Sequence, residues 1–244
     1  MKQVLLTVKE NFPLTENVYK MTLCGDCSDI TASGQFVNIK LDGLFLRRPI
    51  SVCDKDGDTL TIIYKVVGKG TQAMKELENG AVLDVLTGLG NGYDLEKSGN
   101  APLLIGGGVG VPPMYLLAKK LLEQGKRVSV VLGFNTKSEV FYENEFKALG
   151  CDVTVTTVDG SYGVKGFVTN AMEKDYTYFY CCGPEPMLKA VYKTSNTSGQ
   201  FSFEERMGCG FGACMGCSCK TITGYKRICK DGPVLEKEEI LWED

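Results

Sequence analysis

The sequence predicts an antiparallel β-barrel, then a doubly wound parallel α/β sheet, then a small cysteine-rich unit. Three observations carry this. Residues 1–98 contain short alternating apolar segments separated by turn-formers, with little helical periodicity. From Pro102 onward, apolar strand-like runs alternate with helical patterns, as in a parallel sheet with crossover helices. Finally, five of the eleven cysteines fall between Cys209 and Cys229. The implied division is 1–98, 99–199 and 200–244, within what a 244-residue chain allows.

In the first unit, VYKMTL (18–23), FVNIKL (36–41) and LTIIYKVV (60–67) read as strands, with Asp56-Gly57 as a turn. A short helix is expected over Thr71–Leu77, before Asn79-Gly80. In the second unit, LLIG (103–106) is a buried strand, followed by a glycine loop and a helix from Pro112 to Gln124 with Gly125 beyond its end. The pattern continues with a strand at 127–133, a helix at 139–150, a strand at 152–160 and a helix at 168–174. A strand at 176–183 and a helix at 185–193 complete it. SNTSG (195–199) reads as a polar linker.

Composition narrows the function. Net charge is −3, with a sequence pI of about 5.3, which argues against a binder of nucleic-acid phosphates. No apolar run approaches the roughly 18 residues that span a bilayer. Lys9 and Glu10 interrupt the place where an export signal needs its apolar region, so a cytoplasmic protein with reduced thiols is expected. The chain has no histidine. That removes the usual neutral-pH base, Ser–His and Cys–His pairs, and a His₂Cys₂ iron centre. Chemistry then rests on cysteines, carboxylates or bound cofactors.

The run GCGFGACMGCSC gives Cys209-x₄-Cys214-x₂-Cys217, with Cys219 and Cys229 following. A four-residue gap and then a two-residue gap is the plant-type spacing of 2Fe–2S ligands, whereas zinc ribbons favour paired short spacings. Gly208, Gly210, Gly212 and Gly216 allow the loop to wrap a small inorganic core and turn amides toward sulfur. Spacing alone leaves Cys219 and Cys229 as candidates for the fourth ligand. Cys229 is preferred, because a hairpin turn at Gly224 brings it back from the other side. The competing readings are buried free thiols and a Cys₄ zinc module that only docks to partners.

Three further segments carry candidate binding residues. Arg47–Ser51 (RRPIS), taken to follow a strand ending near Leu46, offers cationic and hydroxyl groups for a pyrophosphate or a flavin edge. With Gly68-Lys69-Gly70-Thr71 it points to a dinucleotide such as FAD. Gly106, Gly107, Gly108 and Gly110 lie where LLIG meets the next helix, the place for a phosphate-approach loop and nicotinamide dinucleotide binding. Val111 stands where G-x-G-x-x-G has its last glycine, and no acidic ribose ligand follows the next strand. Cys182-Gly183-Pro184 ends a strand on the edge where a nicotinamide would meet a flavin. No acid or base beside Cys182 marks it as a nucleophile, and packing is its plain reading.

The order RRPIS, GKGT, GGGVGVPPM, CGPEPM, CGFGACMGC and CKDGPV resembles the ferredoxin–NADP⁺ reductase superfamily. More narrowly, it is similar to the electron-transfer subunits of type B dihydroorotate dehydrogenases, over essentially the whole chain. The resemblance implies FAD contacts from Arg48, Pro49, Ile50 and Ser51, from Ile63, Tyr64 and Lys65, from Gly70 and Thr71, and near Asn91. It implies cluster ligands Cys209, Cys214, Cys217 and Cys229, and NAD as the terminal carrier. It also implies a partner: an FMN-containing catalytic subunit that oxidises dihydroorotate in pyrimidine synthesis, in a two-plus-two heterotetramer. Second comes a ferredoxin–NADP⁺ reductase-like subunit of bifurcating or sulfide dehydrogenase complexes, where three cysteines and a carboxylate would be the fitting ligand set.

Overall fold

The computed structural model describes residues 1–172 and 175–242. Its first unit is a closed six-stranded barrel, β1 (Lys2–Pro13), β2 (Val18–Cys24), β3 (Phe36–Ile39), β4 (Arg48–Asp56), β5 (Thr59–Lys65) and β6 (Val82–Leu89). The order around the barrel is β1-β2-β5-β4-β3-β6, with every pairing antiparallel. Alternation sets the inside: along β6, Leu83, Val85, Thr87 and Leu89 are buried while their neighbours face outward. Closure leaves no strand edge to cover. Helix α1 (Lys69–Lys75) joins β5 to β6 and buries Met74 against the barrel core.

The second unit is a seven-stranded sheet. Its parts are β7 (Pro102–Gly107), α2 (Pro112–Glu123), β8 (Ser129–Phe134), α3 (Glu143–Leu149), β9 (Asp152–Thr157), β10 (Val164–Lys165), β11 (Tyr178–Cys182), α4 (Glu185–Thr194) and β12 (Gly199–Ser202). The strand order is β10-β9-β8-β7-β11-β12, followed by a strand from the chain's end. The first six strands run parallel. From β7 the chain winds outward one way through β8 and β9, then returns to β11 on the other side of β7. The C-terminal ends of β7 and β11 therefore flank the crevice where ligands bind in such sheets.

One apolar core joins the two units: Val18, Cys53 and Ile63 of the barrel share it with Leu104, Val111, Met114 and Leu117. The Lys119 ammonium lies 3.3 Å from Asp54 across the same junction. The last segment forms a hairpin, β13 (Ser218–Thr221) with β14 (Gly224–Arg227), and then β15 (Val234–Glu236). β15 pairs antiparallel with β12 and becomes the seventh strand of the sheet. Among the described residues, no helix is long and apolar enough to cross a membrane.

Several elements depart from the expectation. RRPIS does not follow a strand; it opens β4, because Pro49, lacking an N–H, suits the first residues of a strand. The helix expected at 139–150 is only α3. Phe141 and Tyr142 both enter the core, against Phe134 and Tyr115 at 5.3 and 5.2 Å between ring centroids. Successive residues on a helix do not share a face, and the left-handed backbone at Tyr142 (φ 67°) lets both turn inward. The expected helix at 168–174 is a single 3₁₀ turn over Val168–Asn170, and residues 173–174 lie outside the described residues. Gly199, expected in a linker, starts β12, so the sheet crosses the expected division at 199/200.

Candidate functional site

The two arginines of RRPIS have different surroundings. The Arg47 guanidinium donates to Asp84 Oδ1 at 2.9 Å, to the Asp84 carbonyl at 3.0 Å and to the Asn38 carbonyl at 3.3 Å, so β6 and β3 hold it. Arg48 has no carboxylate partner within salt-bridge distance among the described residues. It donates to the carbonyls of Leu46 and Arg47, and its side chain lies over Gly70. A Cβ on Gly70 would stand 1.8 Å from Arg48 Nε, so a glycine there gives the guanidinium its place. Thr71 Oγ1 accepts from the amides of Val67 (2.9 Å) and Gly68 (3.3 Å), fixing the turn that presents Gly70. These residues make one cradle from β4 and the β5–α1 turn, suited to an anionic dinucleotide.

Residues 63–65 divide. Tyr64 points into the barrel, stacked on Tyr19 at 6.0 Å, with its hydroxyl donating to Asn11 Oδ1 at 2.9 Å. Burial raises its phenol well above the usual range. Ile63 faces the junction core and Lys65 is exposed, so Tyr64 can meet a ligand only through its main chain. Asn91 is also committed elsewhere. It donates to the Val234 carbonyl at 2.8 Å and accepts from the Val234 amide at 3.0 Å, tying the end of β6 to the chain leaving the cysteine segment.

At the sheet, the two glycine turns pack on each other. A Cβ on Gly110 would lie 2.2 Å from the Cys182 carbonyl oxygen and 2.6 Å from the Gly183 nitrogen. A Cβ on Gly107 would meet Met187 Sδ at 2.4 Å, and one on Gly106 would meet Val111 Cα at 2.8 Å. Gly108, with φ 52°, has nothing within 4 Å of its Cβ position and leaves an open face. The arrangement is a backbone-lined cradle at the switch point that side chains would fill, which fits a nicotinamide dinucleotide. Burial pushes the Cys182 thiol up to about 12, while Ser202 hydrogen-bonds to it and acts the other way. Burial raises the Cys181 thiol as well. Neither is a thiolate nucleophile at neutral pH.

In the cysteine segment the four expected ligands lie in two pairs. One pair is joined by the Cys214 amide at the Cys209 sulfur, the other by the Cys229 amide at the Cys217 sulfur. The amides of Ala213 (3.2 Å) and Cys214 (3.4 Å) point at Cys209 Sγ, and the Cys229 amide points at Cys217 Sγ (3.4 Å). Burial works against ionisation of Cys209. The amides of Cys214, Phe211 and Ala213, with the Cys214 thiol, outweigh it and bring this thiol down to about 6. Thiols approached by backbone amide donors, at the plant-type spacing, fit a two-iron cluster. Cys219 sits opposite Lys226 in the hairpin, and burial, with Glu205 nearby, raises its thiol.

Two residues that organise this region carry no motif in the sequence. Asn38 on β3, buried, pairs in register with Pro49 and donates from its side chain to the Cys209 carbonyl at 3.3 Å. Gly210 (φ 79°) leaves room for it: a Cβ would be 2.3 Å from Asn38 Nδ2. The cysteine loop therefore rests on the strand next to the Arg48 cradle, one strand spacing of roughly 5 Å away. The second residue is Arg227, which reaches the Gly212 carbonyl at 3.1 Å. Neither a lone asparagine in a strand nor an arginine in a hairpin carries a local sequence signal.

A closed antiparallel barrel joined to a doubly wound sheet, with a cradle on each and a cysteine cage beside them, defines a flavin- and nicotinamide-linked oxidoreductase of the ferredoxin–NADP⁺ reductase fold. Solved structures agree. The chain superposes with a TM-score of 0.89 on the NADH-dependent reduced ferredoxin–NADP oxidoreductase studied for flavin-based electron bifurcation, at 31% identity over 98% of this chain and 90% of that one. A ferredoxin–NADP⁺ reductase from Neisseria gonorrhoeae with bound FAD and NADP, only 16% identical, shares the fold (TM-score 0.69, 80% of this chain and 90% of that one). Residues 204–241 match the iron–sulfur cluster binding domain of dihydroorotate dehydrogenase B, and residues 104–193 the oxidoreductase NAD-binding domain. The chain is 45% identical to the dihydroorotate dehydrogenase B (NAD⁺) electron transfer subunit of Bacillus pumilus, over 98% of both chains. It is 46% identical to that of Fusobacterium nucleatum, over 93% of this chain and 94% of the relative. The chain belongs to the family of dihydroorotate dehydrogenase B electron transfer subunits.

Proposed function

We propose that this chain carries electrons from a dihydroorotate-oxidising, FMN-containing partner to NAD⁺, as the electron-transfer half of a cytoplasmic two-plus-two heterotetramer in pyrimidine synthesis. The observation that carries the proposal is the contact through Asn38. The Cys209 carbonyl accepts from Asn38 on the strand beside Arg48, which supports a reading in which a one-electron site and a two-electron site are neighbours. Cys209, Cys214, Cys217 and Cys229 would hold a 2Fe–2S cluster. Arg48–Ser51, the main chain at 63–65 and the Gly70 turn would seat FAD, and Gly106–Gly110 with Cys182–Pro184 would take NAD. A flavin, when bound, supplies the exchange between single electrons and hydride that a cluster and a nicotinamide require.

The chain's own contribution is position. Arg48 offers a fixed cation to a pyrophosphate, and the Gly70 turn keeps a side chain from displacing it. The switch-point glycines admit the nicotinamide dinucleotide close to the main chain. No acid or base is needed at either cradle, consistent with a chain without histidine. The test is to co-express the chain with an FMN subunit and assay dihydroorotate-dependent NAD⁺ reduction. A complex that reduces NAD⁺ with dihydroorotate supports the assignment.

The likeness to the reduced ferredoxin–NADP oxidoreductase favours a second reading, a ferredoxin–NADP⁺ reductase-like component. Its identity to this chain is 31%, against 42–46% for the dihydroorotate dehydrogenase relatives. Activity with reduced ferredoxin, and none with dihydroorotate, would move the assignment there.

A further inference from the structure

Arg227 lies at the centre of the cysteine segment. Its backbone amide and Nε both donate to Asp231 Oδ2, at 2.9 and 3.0 Å, and Nη2 donates to Asp231 Oδ1 at 3.2 Å. The amides of Lys230 and Asp231 return to the Arg227 carbonyl at 3.0 and 2.7 Å. The turn 227–231, which carries Cys229 at its middle, is thus closed from both sides by this one ion pair. Nη1 is left to reach across to the Gly212 carbonyl at 3.1 Å, inside the loop between Cys209 and Cys214. Gly212 takes a left-handed backbone (φ 90°) and presses on the Lys230 side chain, so the two lobes touch at this point. Arg227 is therefore the side chain that links the Cys209/Cys214 pair to the Cys217/Cys229 pair.

The geometry also orders the charges. The guanidinium stays ionised at any working pH. Its Nη1 points in between the lobes, while Asp231 occupies the Nε and Nη2 edge. Arg227 pairs in register with Ser218, beside Cys217, and lies two residues before Cys229, so both cysteines flank the cation. A fixed cation favours whichever state of its neighbour carries more negative charge, and a fixed anion disfavours it.

We propose that Arg227 is a positioning residue that clasps the two halves of the cluster cage, and that the Arg227–Asp231 pair sets the cluster's reduction potential, Arg227 raising it and Asp231 lowering it. The inference rests on the reading of Cys209, Cys214, Cys217 and Cys229 as 2Fe–2S ligands. On one-electron reduction Arg227 faces one more negative charge, so its removal disfavours the reduced form. Lysine keeps the charge but not the fork that binds Asp231 and Gly212 together.

The test is a redox titration of the full chain with its flavin, read by visible absorbance and electron paramagnetic resonance, on Arg227→Gln, Arg227→Lys and Asp231→Asn. Arg227→Gln is expected to lower the reduced-to-oxidised ratio at a fixed potential about tenfold, a shift of 59 mV for one electron. Asp231→Asn is expected to shift it the opposite way. Arg227→Lys is expected to keep the native potential but lose iron faster to a chelator. The flavin potential is expected to stay put in all three. Shifts of the same sign in Arg227→Gln and Asp231→Asn, or no shift in an iron-replete Arg227→Gln protein, overturn the proposal. If Arg227→Gln assembles no cluster, Asp231→Asn decides: a positive shift supports the proposal, and no shift or a negative one overturns it. Native protein without iron–sulfur absorbance would instead sink the underlying ligand reading.

Discussion

Replacing Gly110 with alanine probes how far the nicotinamide side depends on backbone approach. The backbone at Gly110 is not left-handed, so alanine suffers no conformational penalty of that kind. The cost is steric. Its Cβ would stand 2.2 Å from the oxygen and 2.4 Å from the carbonyl carbon of Cys182, and 2.6 Å from the Gly183 nitrogen. Ordinary contact requires the two turns to part by roughly 1 Å. Neither can yield by rotating a side chain, since one is the end of central strand β11 and the other the turn leading into α2. Overpacking of this kind costs about 1–3 kcal/mol. If the cleft opens to relieve it, that strain appears as roughly 5- to 150-fold weaker NADH binding, at about 1.4 kcal/mol per decade. If the cleft holds, it appears as a lower urea midpoint. NADH titration and urea unfolding on the same preparation capture both. A Gly110→Ala protein with native NADH affinity and a native midpoint would refute the claim that these turns are packed to contact.

Four further outcomes are expected. Arg47→Ala should lower unfolding stability by about 1–3 kcal/mol by breaking its hydrogen bonds to Asp84 and Asn38. Arg48→Ala should leave the urea midpoint nearly unchanged and reduce the flavin-to-protein ratio; the reverse pattern would exchange the two roles. Cys229→Ser should abolish the dithionite-bleached absorbance and Cys219→Ser should retain it, and a normal spectrum from Cys229→Ser would overturn the ligand choice. Glu236 accepts from Lys97 (2.7 Å), Tyr178 (2.9 Å) and Gln200 (2.8 Å). Burial alone would raise its carboxyl, but these three donors hold it below the usual range. Its contribution is therefore full above the unfolded-chain value of about 4.3 and fades as pH falls through the lower native one. Glu236→Gln should destabilise the protein at pH 7, with the gap closing in acid; a gap that stays constant with pH would show that ionisation is not the cause.

Where local pattern decides structure, the sequence was legible. Alternation located β2 and β5, and the Pro112 start and Gly125 stop framed α2 to within a residue. The cysteine spacing was readable as a pattern, and residues 204–241 match an iron–sulfur cluster binding domain. What stayed hidden depends on distant partners. β12 and β15 span four and three residues, too short for any periodicity, and exist because they pair with each other and with β11. The left-handed turn at Tyr142 is fixed by aromatic neighbours contributed by α2 and β8. The resemblance implied a flavin contact at Tyr64; strand alternation sends its ring inward and leaves its main chain for that role. Asn91, expected near a flavin, serves as a tie to Val234. Asn38 and Arg227 become conspicuous only once the cysteine loop has a place to rest.

The return of β15 to the sheet has a consequence for how the cysteine segment behaves as a body. Residues 203–233 leave from β12 and re-enter beside it, so the segment is an excursion anchored at both ends rather than a tail. Its ends cannot drift apart, and between them Asn38 on β3 meets the Cys209 carbonyl, so the excursion also touches the barrel. The same anchorage makes the chain intolerant of shortening. Truncation after residue 233 would strip β12 of its neighbour and leave a raw edge that invites association between molecules.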